Sequence, residues 1–511
     1  MAGGSGSADQ WSSRWAFLLA AVGFAVGMGN IWRFPYQLGE NGGSAFLIIY
    51  LACAFAIGLP LLMTEIAIGR RGRASASQSV VNVAEESGRS SRWGFIGNLG
   101  IFCAFIILSY YTVLSGWTLD YFIKAVTGTF EGLNFEGEGA AAAETATMFS
   151  NLLANPWLLM FWNTVVHLLI ILVISQGVQS GIERAVKILM PALFGAILIM
   201  VVYGIFAGDM VQTLTFLLQP DFSKITPDIV MKAIGQAFFS IGIGMGSLIV
   251  FGAYMPKDFS IPRSSAAVIS MDTGVAVLAG FAIFPLVFQY QLDEGSGAGL
   301  IFQTLPLAFG QMPFGVLFGA IFFVLLISAA LSSCIGLAEG CVNWVDEHLN
   351  IPRKKGALYV TGAAWLLGIV SILGLSVWKD VSPLGFIPSY AGKDIFDTLD
   401  HLAANNLLLI GGTLSAIFFG WRVPKALKLD ELGVEDSKFF AFWRFMIRFI
   451  IPPVLVLALV LGITEGAEAP EEEASVPSQE EVLAAAPSVD ENSAAFHYEV
   501  DVEQLLDIVK G

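Results

Sequence analysis

The stretch AVGFAVGMGNIWRFP, residues 21–35, decides the reading of this chain. It lies inside an apolar segment long enough to span a bilayer, yet carries Gly23, Gly27 and Gly29 and closes on Asn30, Arg33 and Pro35. At bilayer depth each unpaired amide or carbonyl costs several kcal/mol unless protein, water or a ligand satisfies it. The run therefore predicts a broken membrane helix whose freed backbone binds an ion and a substrate, with the rest of the chain organised to hold it.

Composition sets the class. Of 511 residues, 56% are hydrophobic and 13% charged, with mean hydropathy +0.72, against about 25% charged residues in soluble domains. Apolar runs of membrane-spanning length fall near 15–36, 44–69, 94–124, 157–175, 185–207, 229–256, 262–290, 313–345, 357–375, 396–421 and 439–463. The expected fold is an all-α polytopic membrane protein with eleven transmembrane helices. The net charge of −16 does not describe a surface that seeks cations. From Thr464 onward thirteen acidic residues and one Lys give 1 − 13 = −12, leaving −4 for the rest. No clustered basic surface of the kind that nucleic acids require is visible. The tail 464–511 mixes Glu, Pro, Ala and Ser and reads as disordered.

Lys and Arg set the orientation. Arg70, Arg71, Arg73, Arg89 and Arg92 follow the second span. Arg184, Lys187, Lys257, Arg263, Arg353 to Lys355, Arg422, Lys425 and Lys428 recur on the same side. The alternate loops are acidic or mixed, with Glu131, Asp209, Asp221 and Lys379 beside Asp380. This predicts a cytoplasmic N-terminal segment over 1–14 and, with eleven spans, an acidic tail outside an inner, cell membrane. No basic n-region or cleavage site marks a signal peptide. Cys53, Cys103, Cys334 and Cys341 sit in apolar runs without metal spacing and read as small buried hydrophobes.

A second interrupted span, GQAFFSIGIGMG at 235–246, opens the second group of five spans as the first opens the first group. Paired broken helices in corresponding positions of two halves point to a transporter site between inverted repeats, here 15–207 and 229–421, with 439–463 added after them. Tight packing through small residues is the plainer account of either run alone. The two runs together, with Asn30 and Arg33, favour the broken-helix reading.

Five stretches carry a specific resemblance: FAVGMGNIWRFPY (24–36), ENGGSAF (40–46), GLPLLMTEIAIGR (58–70), GQAFFSIGIGMG (235–246) and SAALSSCIGLAEG (328–340). Together the chain resembles the neurotransmitter:sodium symporter family, in which broken helices and inverted repeats are the known architecture. The resemblance implies two sodium sites. The first would use Ala25, Asn30, Ser240 and Asp272 with a substrate carboxylate; the second would use Gly23, Val26 and Ala329 carbonyls with Ser332 and Ser333. Ser pairs often bond only their own helix, so Ser332 and Ser333 carry little alone. Asp272, in ISMDTGVAVLAG, is the most informative single residue, since an ionisable group at that depth is a functional candidate by default. A nearby position carries an acid or, in chloride-dependent members, Ser; here it is Ala276. Two sodium ions, a carboxylate and Asp272 sum to zero charge, so chloride should not be required. Proton uptake by Asp272 after sodium leaves is a further expectation.

The implied substrate site is Ala25, Met28, Gly29, Ile107, Tyr111, Phe239, Ser240, Gly242, Met245, Ser333 and Leu337. Amides near Met28 and Gly29 and the Tyr111 hydroxyl would meet a carboxylate. Members that take amines have Asp where this chain has Gly27, so an amino acid is expected. The apolar lining would make a charged side chain pay a desolvation penalty, which favours hydrophobic or aromatic L-amino acids. Arg33 and Asp400 would form an outer gate over a lid of Phe239 and Tyr111. At the inner gate Trp11 is present, but Ala8 replaces the usual Arg, and the acid partner would be Asp346 or Glu347. Glu65 and Glu339 are expected to bond backbone groups freed at the second break. His167 reads as a core residue. Members of this kind often form homodimers, which the sequence does not decide. Uptake of taurine, betaine or GABA is the alternative within transporters; a receptor lacks a signalling domain, and a channel lacks charge rings or a carbonyl filter. No enzyme constellation is visible.

Overall fold

The computed structural model describes residues 10–133, 139–292 and 299–464. The expected tail and Ala8 lie outside the described residues. Among the described residues the fold is helical throughout. We label the helices that form the bundle α1 (Arg14–Ala25), α2 (Gly29–Glu40), α3 (Ser44–Gly72), α4 (Ser91–Val126), α5 (Pro156–Ile174), α6 (Val178–Ala207), α7 (Pro227–Ile241), α8 (Ser247–Ala253), α9 (Ile261–Gln289), α10 (Gly315–Leu349), α11 (Arg353–Leu375), α12 (Ile395–Arg422) and α13 (Lys438–Ile463).

Helix starts follow local chemistry. Ser13, Asn155, Thr226 and Ser260 each accept a hydrogen bond from a first-turn amide of the helix that follows. Pro stands within the first two positions of three of these helices, where its missing N–H leaves no intrahelical bond unmade. Among the described residues, nine single helices are long and apolar enough to cross a membrane, and α1 with α2, bent by 53°, makes a tenth. The eleventh run of the sequence, 229–256, is divided. Its halves α7 and α8 are separated by the 242–246 turn, and α8 spans only Ser247–Ala253. The predicted start near 185 also moves, since a π-helical turn at Val178–Glu183 extends α6 backward.

α10 lies along α4 at the centre, and α1 is held against α10, α9 and α6. α8 packs on the second half of α3, and α7 on its first half. Both breaks therefore sit between the long helices. The short helices Ala76–Glu86 and Lys425–Leu432 lie on the Arg- and Lys-rich side. There Arg70 Nε meets Glu431 Oε1 at 2.5 Å, with both side chains 5% exposed, and so ties the end of α3 to Lys425–Leu432. A buried pair of this kind fixes geometry more than it adds stability.

Candidate functional site at the paired helix breaks

α1 ends at Ala25, and Val26 turns to an extended conformation, φ −72° and ψ 94°. The backbone freed there is taken up by named groups. Asn30 Oδ1 accepts from the Gly27 amide at 3.0 Å, and the Tyr111 hydroxyl accepts from the Met28 amide at 2.7 Å. Gln236 Nε2 donates to the Gly29 carbonyl at 2.8 Å. Gly27 is tightly held: a Cβ would stand 2.5 Å from the Tyr111 hydroxyl and 2.8 Å from Ser333 Oγ, so both side chains would have to shift.

The second break uses backbone that side chains rarely tolerate. Gly242 and Gly244 have φ of +75° and +87°, in the left-handed region that favours glycine. The Gly244 amide donates to Glu65 Oε1 at 2.9 Å, so Glu65 satisfies the break as the family resemblance implied. Glu339 does not. Its carboxylate accepts from the Tyr254 hydroxyl at 2.7 Å and from the Arg353 guanidinium, at the start of α11. Arg353, which in the sequence serves only to mark orientation, is its partner and draws Glu339 away from the backbone.

Between the breaks, Asn30 Nδ2 donates to Ser240 Oγ at 2.9 Å, Asp272 Oδ1 at 2.8 Å and the Asp272 carbonyl at 3.0 Å. Ser240 Oγ donates to both Asp272 carboxylate oxygens, at 3.0 and 2.9 Å. Asn30 and Asp272 are fully buried. Among the described residues no Lys, Arg or His forms an ion pair with Asp272, so the carboxylate meets only neutral donors. An uncompensated buried charge is costly, and oxygen-rich surroundings suit a hard monovalent cation. Ala25 lines the same cavity as Ser240. Of the first expected sodium site, Asp272 and Ser240 bring oxygens together here, whereas Asn30 presents Nδ2 to them and keeps Oδ1 on the Gly27 amide.

The second set is looser. Gly23 faces Ser332, whose Cβ would be 3.3 Å from a Cβ on residue 23. Ser332 Oγ donates to the Ser328 and Ala329 carbonyls of its own helix, and Ser333 Oγ donates to the Phe24 carbonyl at 3.0 Å. Val26 bonds back to Val22 through its amide, which leaves its carbonyl on the break.

A cavity of about 30 Å3 lies here, lined by Ala25, Gly29, Ile107, Tyr111, Phe239, Ser240, Gly242, Met245, Ser333 and Leu337. Phe24 and Gly27 complete the lining, and Met28 is not among it. Met28 enters the site through its amide, not its side chain. Such a volume holds about one or two waters, so a larger ligand requires the walls to part. Phe24 escaped sequence reading because it lies before the break, in the regular part of α1. Gln236 offered a signal, being a polar residue beside the second glycine run.

The expected gates are unequal. Arg33 Cζ sits 4.8 Å from the centre of the Phe239 ring. Asp400 acts on Arg33 electrostatically together with Tyr36 and Tyr110, yet the pair forms no direct ion pair among the described residues. On the basic side, Glu347 Oε2 accepts from the Ser75 amide at 2.5 Å, and Asp346 is exposed. Among the described residues neither receives the N-terminal segment. Trp11 instead buries its ring against Phe17, Phe251 and Tyr254 and donates from Nε1 to the Phe251 carbonyl at 3.0 Å. Ser12 bonds Glu183 twice, amide to Oε1 at 2.7 Å and Oγ to Oε2 at 2.5 Å. No pattern in the sequence singles out Glu183. His167 Nε2 lies 3.2 Å from Thr112 Oγ1 in the core.

Comparison with known proteins agrees with this geometry. Residues 8–134 and 150–486 match the Sodium:neurotransmitter symporter family. The uncharacterized sodium-dependent transporter YhdH of Bacillus subtilis is 34% identical over 454 residues, 88% of this chain and 97% of that protein. An uncharacterized sodium-dependent transporter of Haemophilus influenzae is 33% identical over 458 residues, covering 89% and 98%. The crystal structure of MhsT in complex with L-phenylalanine superposes with a TM-score of 0.80 at 37% identity, over 89% of this chain and 99% of that one. Two broken helices around an uncompensated carboxylate and a match along most of the chain lead to one conclusion: this protein is a sodium-dependent transporter of the sodium:neurotransmitter symporter family.

Proposed function

We propose that the chain imports hydrophobic or aromatic L-amino acids together with sodium, by alternating access, without a need for chloride. One observation carries the reading: an uncompensated buried carboxylate, Asp272, adjoins an apolar chamber that presents no charged side chain. The carboxylate calls for a cation, and the chamber rewards an apolar side chain by about 25 cal/mol per Å2 removed from water. Gly27 supports an amino acid over an amine, because it supplies no carboxylate to pair with a substrate amine that lacks its own. The solved relative with L-phenylalanine bound points the same way. In this reading Ala25, Asn30, Ser240 and Asp272 hold one sodium ion, and Gly23, Val26, Ala329, Ser332 and Ser333 hold a second. α1 with α2, and α7 with α8, then count as one span each, giving eleven spans in two inverted five-span repeats and a final span. The basic loops face the cytoplasm.

The deciding experiment is a thermal-shift screen of the purified protein against amino acids in sodium, potassium or choline. A ligand that binds the folded state raises the midpoint by mass action. Phenylalanine, tryptophan, tyrosine or leucine should do so in sodium only. Equal shifts in all three salts, or a response to taurine or glycine with none to the apolar amino acids, would overturn the reading. Chloride independence has its own check. Ala276 is buried and carries no polar side-chain atom, so uptake into proteoliposomes should persist when gluconate replaces chloride.

A further inference from the structure

On the basic side, where α12 ends and α13 begins, Lys428, Arg444 and Arg448 gather without an acid partner among the described residues, and Arg422 stands at the end of α12. Lys428 is fully buried, and its Nζ donates to the Gly420 carbonyl at 2.7 Å. Arg448 Nε donates to the same carbonyl at 2.7 Å, with Cζ 5.2 Å from the Trp421 ring. Arg444 Nε is buried and has no hydrogen-bond partner. Arg422 lies over Trp93 at 5.8 Å. Among the described residues none of the four forms an ion pair. The nearby acids are taken: Asp430 and Glu431 by Arg70 and Arg71, and Asp436 by Lys425. Burial and the charges of Arg448 and Arg444 push the Lys428 amine down to about 7. That direction records like charges held together with nothing to offset them.

The surroundings are those of a bilayer edge. Phe442, Phe445 and Phe449 are 59%, 50% and 51% exposed, and Trp421 is 48% exposed. Beyond Trp93 lies an apolar groove of about 180 Å3 lined by Phe95, Ile96 and Leu414, with Arg92 at its edge. We propose that this corner binds an anionic phospholipid, its phosphate held by Arg444 and Arg448 and its chain lying on the exposed aromatic face. Guanidinium groups suit phosphate oxygens through paired N–H donors, and basic pockets at membrane level select anionic head groups.

The test is competitive lipid retention by native mass spectrometry. The full chain is equilibrated in micelles with equimolar phosphatidylglycerol and phosphatidylcholine, and a parallel arm contains inorganic phosphate. The wild type should retain phosphatidylglycerol in preference. Each cation near the surface contributes about fivefold, so Arg444→Gln should cut the preference about fivefold and Arg444→Gln/Arg448→Gln further. Lys379→Gln, in a loop on the opposite side, should leave it unchanged. Arg444 makes no hydrogen bond through Nε, so its variant should keep the thermal midpoint in phosphatidylcholine alone even if the double variant loses stability. Equal retention of the two lipids by the wild type, an unaltered preference in Arg444→Gln, or full competition by inorganic phosphate would each overturn the proposal.

Discussion

A methyl group on residue 27 has nowhere to go. The Tyr111 hydroxyl is fixed by the Met28 amide and Ser333 Oγ by the Phe24 carbonyl, so neither neighbour yields without breaking a bond at the break itself. Overpacking of this kind costs about 1–3 kcal/mol. Gly27→Ala should therefore weaken sodium-dependent binding of phenylalanine by about tenfold or more, read by titration of the thermal midpoint; unaltered affinity would place the substrate elsewhere. Asp272 makes a sharper case because its sign reverses with the salt. In potassium, at a pH high enough to keep Asp272 ionised, its buried charge lacks a partner and destabilises the fold, so Asp272→Asn should raise the midpoint. In sodium the wild type should gain more than the variant, because the cation offsets the charge and Asn offers it only a dipole. A variant that gains as much from sodium as the wild type would remove Asp272 from the ion site.

At the scale of elements, the N-terminal segment works as a latch. Trp11 fills a slot between α1 and α8, and Ser12 bonds the buried Glu183 at the start of α6. Truncation of a buried Trp costs about 3–5 kcal/mol. Trp11→Ala, and more mildly Glu183→Gln, should speed amide hydrogen exchange in residues 14–20 and 247–254 while leaving α11 unchanged. Uniform acceleration would mean general destabilisation, and no acceleration would mean that the latch holds nothing. The elements also show where sequence reading succeeds. Both breaks were legible, since glycine runs weaken an apolar span unless its backbone is meant to open, and Asn30 with Asp272 stood out as polar groups at depth. The latch was not legible, because Ser12 and Glu183 are 171 positions apart and neither has an unusual neighbourhood in the sequence. The partner of Glu339 was hidden for a related reason. Arg353 lies beyond the helix end, where a loop cation looks solvated. The division of α7 from α8 was expected, but with so short an α8 the eleventh span depends on reading the two as one.

For the whole molecule, the two ends of the site stand in different conditions. On the basic side the N-terminal segment is tied to α8 and α6 through Trp11 and Ser12, and α10 to α11 through Glu339 and Arg353. At the other end Arg33 rests on Phe239 and feels Asp400 without contact. On the proposed alternating-access reading the pair comes together once the substrate is seated, and would then act on release more than on entry. A partly exposed ion pair contributes about 1 kcal/mol or less, which corresponds to a rate factor of about five. Asp400→Asn should therefore release labelled phenylalanine up to about fivefold faster in a washout experiment, with sodium-only stabilisation unaffected because the carboxylate lies away from Asn30 and Asp272. Arg33→Gln should release faster still, since it also forfeits the contact with the Phe239 ring. If Asp400→Asn releases at the wild-type rate while Arg33→Gln does not, the lid is an arginine on an aromatic ring, and the outer closure does not depend on charge pairing.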